Sequence, residues 1–335
     1  MKRTMRQQIH RRFVSVFELV DNLSVRIPWI TMHGPKHGPS VVLIGGVHGE
    51  EVVGTAVIHR IVDEVKLARG TLYLVPAANM QGLSQGFRFV PLGETTQWGN
   101  LNREFPGDAH GNPAERIAYA LWEKIAAIRP RPSVVIDMHA DAHLSLAYIL
   151  LDHVERKPNG SVDKEARILA EAFGVTVCRD DTPEEYLADD SERTLTGALV
   201  NRMHIPAFVV ELGGPMVVHQ EFVELGINGV KNVLRHLGML KGDWSPTVDA
   251  QKIKAAYPLR THVVLQGARS GFAQYAPEMK LGATVKRGQR IATIRDVFGR
   301  VKGEVCVPMN GFMIALGYSA VTQPGAVIAT LAVKE

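Results

Sequence analysis

The fold is decided by the stretch Val41-Val42-Leu43-Ile44-Gly45-Gly46-Val47-His48-Gly49-Glu50-Glu51. Its first half is a run of β-branched and aliphatic residues ending in two glycines, which is typical of a strand buried on both faces of a parallel sheet. Across residues 51–67 apolar residues return every fourth position, which predicts a helix with one buried face. The stretch therefore predicts a buried strand that leads through a polar turn into an amphipathic helix.

The same alternation of strand and helix continues along the chain. Strand-like runs follow at residues 72–75, 134–138, 147–151, 175–178 and 207–210, and helical patterns at about 112–128, 163–173 and 194–203. This order predicts an α/β fold, with a mixed, mostly parallel sheet and helices on both faces. Residues 78–112 interrupt the pattern. Long irregular segments in compact domains are usually functional or disordered, and four aromatic residues here favour order.

Length and composition predict a soluble folded protein. The 335 residues exceed the size at which one hydrophobic core usually stops growing, so we expect a large domain plus a smaller one. The 38 basic and 34 acidic residues leave a net charge of +4 without a dense basic stripe, which argues against nucleic-acid binding. Two cysteines, Cys178 and Cys306, cannot form a disulfide framework, so a cytoplasmic location is expected. Apolar runs are too short for a membrane span, and a homo-oligomer is left open.

The composition and the spacing of apolar residues change after residue 240. Residues 1–240 form the expected catalytic α/β domain, and residues 241–257 are polar with proline, as in a linker. From residue 258 to 335 short apolar runs are separated by regularly spaced glycines. This spacing predicts a small C-terminal all-β domain, similar to a barrel-sandwich.

The strongest local signal for chemistry is the pair His48 and Glu51 at the end of the first buried strand. In open α/β sheets ligands bind at the carboxyl ends of strands, and a second buried strand ends in His139. Neighbouring parallel strands would place His139 beside His48, and a catalytic zinc takes three protein ligands and keeps one position open. Asp137 and Asp141 are candidates to orient the imidazoles. The alternative for His48 and Glu51 is a polar surface turn. The alternative for His139 is a histidine that caps its strand and bonds to the backbone.

A third buried strand is followed directly by an acid, in Phe208-Val209-Val210-Glu211. A buried carboxylate is costly unless it is paired or functional. Beside a metal site, Glu211 can accept a proton from an activated water. The alternative is a structural carboxylate that caps the following turn.

The irregular segment contributes an amide and two cations, Asn102, Arg103 and Arg88. The planar fork of an arginine matches a carboxylate, and Asn102 adds an amide donor beside Arg103. Either arginine is alternatively an exposed loop charge.

Four motifs, in their order along the chain, resemble those of the succinylglutamate desuccinylase/aspartoacylase family of zinc carboxypeptidase-like hydrolases. They are Gly-Gly-Val-His48-Gly-x-Glu51, Leu-Asn102-Arg103-x-Phe-Pro-Gly, Asp-Met-His139-Ala-Asp and Val-Glu211-Leu-Gly-Gly, and they extend over roughly residues 40–215. The glycine-punctuated C-terminal part resembles the β-domain of these enzymes, which narrows access to the zinc.

The resemblance implies a role for each motif residue. His48, Glu51 and His139 would bind one zinc ion per chain, and Glu211 would be the general base and acid. Asn102 and Arg103 would hold the substrate carboxylate. Arg88 would stabilise the oxyanion, although residues 92–98 are extra relative to the family between Arg88 and Asn102.

The implied function is a zinc-dependent amidohydrolase that removes an acetyl-type or succinyl-type acyl group from an N-acyl amino acid. The alternative enzyme is a zinc metallocarboxypeptidase acting on peptide C-termini, which needs the same metal and carboxylate clamp. A biotinyl or lipoyl carrier is a different class, but Met309 is followed by Asn310 and not by a modifiable lysine. A metal-free protein without activity is the remaining alternative, and the full set of candidate groups argues against it.

Overall fold

The computed structural model describes residues 7–19, 22–90, 99–141, 144–154, 161–179, 182–242, 260–317 and 320–334. The strands are β1 Gln8–Glu18, β2 Ser24–His33, β3 Ser40–Gly45, β4 Thr71–Val75, β5 Val134–His139, β6 Leu144–Ser145, β7 Ala147–Leu151, β8 Thr176–Arg179, β9 Ala207–Leu212, β10 Arg260–Gln266, β11 Gly271–Tyr275, β12 Thr284–Val285, β13 Arg290–Arg295, β14 Val301–Cys306, β15 Gly311–Leu316, β16 Val321–Thr322 and β17 Val327–Lys334. The helices are α1 Val53–Glu64, α2 Met80–Gln85, α3 Pro113–Ala126, α4 Ser161–Phe173, α5 Pro183–Ala188, α6 Leu195–Ala198, with a π-helical continuation Leu199–Met203, and α7 Gln220–His236. Single 3₁₀ turns form at Leu101–Arg103 and Ser191–Arg193.

The main sheet begins with the strand order β1-β2-β4-β3-β5-β9-β7-β8. Its centre, β4, β3, β5 and β9, is parallel. The strand β7 runs antiparallel to β9 and parallel to β8, and the antiparallel pair β1 and β2 flanks β4. The predicted mixed, mostly parallel sheet is therefore confirmed.

Helices cover both faces of this sheet. Along β3 the side chains alternate, with Val41 and Leu43 in one hydrophobic core and Val42 and Ile44 in the other. The first core is closed by α1, α4 and α7, and the second by α3 and α6. A strand buried on both faces needs apolar side chains at every position, which explains its unbroken apolar run.

Local signals in the sequence correctly predict most of the central elements. Asn112 caps α3 in a capping box, with Pro113 as the first helical residue. The predicted helix at 51–67 is shorter, Val53–Glu64, and the segment 78–112 contains α2 and a 3₁₀ turn. The strands β1 and β2 and the helices α2, α5 and α7 were not predicted from the sequence.

The C-terminal strands form the predicted all-β domain, in two sheets. The strands β14-β13-β11-β16 make a separate antiparallel sheet, whereas β10, β17, β15 and β12 continue the main sheet through the parallel pair β8 and β10. The two sheets enclose a hydrophobic core of their own. The linker expected at 241–257 lies outside the described residues except for its first two, and the domain boundaries stay a prediction.

Two further expectations concern membrane-spanning helices and the two cysteines. Among the described residues, no helix combines the length and the apolar character that crossing a membrane requires. Cys178 is buried and Cys306 is exposed, and neither takes part in a disulfide among the described residues.

Candidate metal centre and active site

The ends of β3 and β5 bring two histidines together. The strands pair in parallel, with Gly45 opposite Met138, so the turn after β3 places His48 next to His139 at the end of β5. The two imidazole rings lie 4.9 Å apart between centroids, at an angle of 71°. Both side chains are buried. The adjacency predicted from the strand ends is present in the structure.

Glu51 bridges the two histidines. Its Oε1 lies 2.9 Å from His48 Nδ1, and its Oε2 lies 2.7 Å from His139 Nδ1. The backbone N–H of Ala140 donates to the same Oε2 at 3.1 Å. Candidate ligand atoms of the three side chains all lie within 4.8 Å of one another. Two imidazole nitrogens and one carboxylate oxygen are the donor set of a catalytic zinc with an open position, so the residues fit this ion.

Burial and mutual contacts set the protonation of these groups. Burial lowers the pKa of His48 to about 4, although Glu51 opposes this shift, so the imidazole is neutral at pH 7. Burial would raise the pKa of Glu51, but His48 and His139 hold it well below its usual range. Burial also disfavours the charged form of His139, but Asp137 and Glu51 outweigh it and raise its pKa well above the usual value. Metals bind neutral imidazole and carboxylate, so a metal here would displace a proton from His139.

Outer contacts orient both imidazoles. Asp137 Oδ2 lies 2.9 Å from His139 Nε2, which leaves Nδ1 to face the cluster, as expected for Asp137. Asn100 Oδ1 lies 3.3 Å from His48 Nε2, a contact that sequence analysis missed. Asp141, the other acid considered for this task, accepts a hydrogen bond from the Tyr148 hydroxyl at 2.7 Å.

Glu211 lies at the end of β9, directly opposite His139 in the register of β5 and β9. Burial raises the pKa of Glu211 well above its usual value, and the nearby charges of Asp141 and Glu51 add to this shift. Its Oε2 has no hydrogen-bond partner among the described residues. A buried acid with a raised pKa beside candidate metal ligands is a candidate for taking up and releasing a proton.

The 3₁₀ turn at Leu101–Arg103 positions the predicted carboxylate clamp. Asn102 Oδ1 accepts a hydrogen bond from the backbone N–H of Leu195 at 3.0 Å, which ties the turn to the start of α6. The Arg103 guanidinium donates through Nε to the Asp189 carbonyl and through Nη1 to the Asn102 carbonyl, both at 2.8 Å. Two backbone acceptors therefore hold Arg103 in place.

Arg88 lies beside the three candidate metal ligands. Its Nη1 donates to Glu51 Oε1 at 2.5 Å and lies 3.5 Å from Glu50 Oε1. Its backbone carbonyl accepts a hydrogen bond from Gly49 at 3.1 Å, which fastens this loop to the turn that carries His48. The extra residues 92–98 that follow lie outside the described residues.

All seven site residues predicted from the sequence line one cleft of about 220 Å³. The lining of this cleft also includes residues that were not selected from the sequence, among them Leu150, Asp152, Thr196 and Val209. Among the described residues, none from the C-terminal domain lines it. Within that domain, the hydroxyl of Tyr275 donates a hydrogen bond to Ile328 O.

Comparison with known proteins identifies the family. Residues 37–237 match the family model of the succinylglutamate desuccinylase/aspartoacylase catalytic domain. N-alpha-acetyl-L-2,4-diaminobutyric acid deacetylase from Halomonas elongata is 27% identical over 318 residues, which cover 92% of this chain and 86% of that protein.

Two solved structures show that the fold is shared. The ectoine utilization protein EutE (DoeB) from Ruegeria pomeroyi aligns with a TM-score of 0.80 at 23% identity, over 99% of this chain and 97% of that one. A metallo-carboxypeptidase from Burkholderia cenocepacia aligns with a TM-score of 0.51 at 18% identity, over 68% of this chain and 65% of that one, which confirms the carboxypeptidase-like fold. Because the family model spans more than half of the chain, the protein belongs to the succinylglutamate desuccinylase/aspartoacylase family and is a hydrolase.

Proposed function

We propose that the protein is a zinc-dependent amidohydrolase that removes the acyl group from an N-acyl amino acid. The observation that carries the proposal is the convergence of His48, Glu51 and His139 in one cleft, with Glu211 and two arginines around them. The Halomonas relative, a deacetylase of an N-acetyl diamino acid by name, supports this reaction class.

His48, Glu51 and His139 would hold one zinc ion, which when bound polarises an amide carbonyl and lowers the pKa of water. Glu211, whose pKa burial raises, takes the proton from the attacking water. It then returns this proton to the nitrogen of the departing amino acid. The products are a free carboxylate and a free amino acid.

The two arginines have separate tasks in this scheme. Arg88 contacts Glu51, so its guanidinium stands next to the reacting carbonyl and stabilises the negative charge that develops on its oxygen. Arg103 is held by two backbone carbonyls and presents its fork to the carboxylate of the amino acid. Asn102 lines the same wall, where its amide nitrogen adds a donor.

The proposal is tested with purified protein that has been loaded with zinc. We expect about one zinc per chain, and release of free amino acid from a panel of N-acetyl and N-succinyl amino acids. The variant His139→Ala should lose both the metal and the activity. Faster cleavage of dipeptides than of any N-acyl amino acid would favour the metallocarboxypeptidase, and full zinc occupancy in His139→Ala would refute the ligand set.

A further inference from the structure

Beside Glu211, one wall of the cleft is apolar. In the pairing of β7 and β9, Leu150 lies opposite Val209, and both residues line the cleft. Side chains two residues apart share one face of a strand, so Val209 lies on the same face of β9 as Glu211, about 7 Å along the strand. A substrate that reacts beside Glu211 therefore has an apolar strip within reach of its side chain.

The helix α6 covers the sheet where this strip ends. Ala207, two residues before Val209 on the same face of β9, belongs to the hydrophobic core that includes Leu195 of α6. The next residue of α6 is Thr196, which lines the cleft. The face of β9 thus runs from the cleft into a core that α6 closes. We call the part of the cleft formed by Leu150, Val209 and Thr196 its α6 end.

Thr196 brings an unused hydrogen-bonding group to the α6 end. The residue is 1% exposed, and its Oγ1 has no partner among the described residues. The hydroxyl of Thr194 differs, because it donates to the Ser191 carbonyl at 2.8 Å and accepts from the Gly197 N–H at 3.0 Å. Most buried polar side-chain atoms have a partner, so a buried hydroxyl without one beside a cleft is expected to serve a ligand.

The acid near the α6 end is already engaged by the protein. Asp152 lines the cleft, and its Oδ1 accepts a hydrogen bond from the Tyr186 hydroxyl at 3.0 Å. The Arg179 guanidinium donates to the backbone carbonyl of Asp152 at 3.1 Å, so a cation stands beside this acid. Asp152 therefore does not offer an unpaired charge to a substrate, and burying a charged group without an opposite charge is costly. The α6 end is suited to a neutral polar group.

We propose that the α6 end binds the side chain of the amino acid, and that Thr196 selects a side chain ending in a neutral hydrogen-bonding group such as a hydroxyl. The inference rests on the proposed deacylase function and adds its substrate class. The metal ligands and Arg88 take the acyl group and Arg103 takes the carboxylate, which leaves the side chain of the amino acid for this end. Leu150 and Val209 contact its methylene groups, and the hydroxyl of Thr196 bonds to its polar end.

The experiment compares side chains of equal shape with and without a hydroxyl. For the zinc-loaded protein, kcat/KM is measured on three matched pairs of increasing length. The pairs are N-acetylserine with N-acetyl-2-aminobutyrate, N-acetylhomoserine with N-acetylnorvaline, and N-acetyl-5-hydroxynorvaline with N-acetylnorleucine. The best hydroxyl substrate should exceed its hydrocarbon counterpart by about 10-fold, the effect of one neutral hydrogen bond. It should also exceed the charged substrates N-acetyl-2,4-diaminobutyrate and N-acetylglutamate.

Two variants of Thr196 locate this preference. Thr196→Val keeps the shape and removes the hydroxyl, so the ratio within the best pair should fall to about one, through a loss on the hydroxyl substrate. Its denaturant midpoint should not fall, because this hydroxyl has no partner in the protein. Thr196→Ser keeps the hydroxyl and should keep the ratio. Thr194→Val is the matched control, which removes the capping hydroxyl of α6 and should lower the midpoint without changing the ratio.

The outcomes separate the two levels of the proposal. Equal rates within every pair, faster cleavage of a charged substrate, or an unchanged ratio in Thr196→Val overturn the side-chain preference and leave the deacylase intact. A Thr196→Val protein that is clearly less stable or does not fold would show that the hydroxyl is structural, which also overturns the preference. Failure of zinc-loaded wild-type protein to cleave any N-acyl amino acid overturns the proposed function itself.

Discussion

The contact between Asp137 and His139 gives a quantitative test of the metal centre. Asp137 is fully buried, and its Oδ2 lies 2.9 Å from His139 Nε2. Its other carboxylate oxygen has no partner among the described residues, so one contact accounts for its role. The variant Asp137→Asn keeps the shape of the side chain and removes the charge that orients the imidazole and raises its basicity.

The expected loss follows from that one hydrogen bond. A hydrogen bond to a charged group contributes about 1.5–3 kcal/mol. At 1.4 kcal/mol for each factor of ten, this corresponds to roughly 10- to 140-fold weaker zinc binding, similar to the effect of about 10–100-fold known for such outer contacts. The assay is competition for zinc with a chromophoric chelator.

The control is Asp141→Asn, four residues after Asp137 and just beyond the end of β5. Its carboxylate accepts from Tyr148, so zinc affinity should change by only a few-fold. Wild-type zinc affinity in Asp137→Asn, or an equal loss in Asp141→Asn, would refute the reasoning.

Three further predictions concern the clamp, the packing of the metal turn and a titrating acid. Arg103→Lys keeps the charge but loses the fork, so KM should rise by more than kcat falls in steady-state kinetics; a change confined to kcat would contradict the clamp. Gly49→Ala would place a Cβ 2.1 Å from the backbone of Gly82, so the free energy of unfolding measured with denaturant should fall by about 1–3 kcal/mol. The control Gly303→Ala, whose Cβ would meet only the flexible side chain of Arg269 at 3.4 Å, should be nearly neutral. Burial, with smaller effects from neighbouring acids, raises the pKa of Glu104 to about 7. The contribution of Glu104 to the free energy of unfolding is therefore present at low pH and is lost as pH rises toward 7. Glu104→Gln should therefore gain stability relative to wild type between about pH 4.5 and 7, and a pH-independent difference would contradict this.

The convergence of His48, Glu51 and His139 could be predicted because local signals were sufficient. A buried strand that ends in a polar residue places that residue at the carboxyl edge of a parallel sheet, and His48 and His139 both follow this rule. Asp152 also follows a buried strand directly, so the signal that selected Glu211 could have selected it too. Thr196 carries no such signal, because its position in the cleft depends on how α6 packs.

Other elements were missed for different physical reasons. The strand β1 is mostly exposed at the edge of the sheet and carries charged residues, so its alternation is weak. The helix α7 has a clear apolar face, and its periodicity could have been found; the residues of that face are Phe222, Val223, Ile227, Val230, Val233 and Leu234. The continuation of the main sheet into β10 and β17 depends on pairing between segments far apart in the chain, which a local pattern does not specify.

The most direct test of the central claim is the kcat of Glu211→Gln, measured together with its bound zinc. Glutamine keeps the shape of the side chain and cannot take up the proton, and no proposed zinc ligand is changed. We expect kcat to fall by about 10²–10⁴-fold while the zinc content stays equal to that of the wild type. A near-normal kcat in a variant with full zinc occupancy would contradict the proposed hydrolysis at its chemical step.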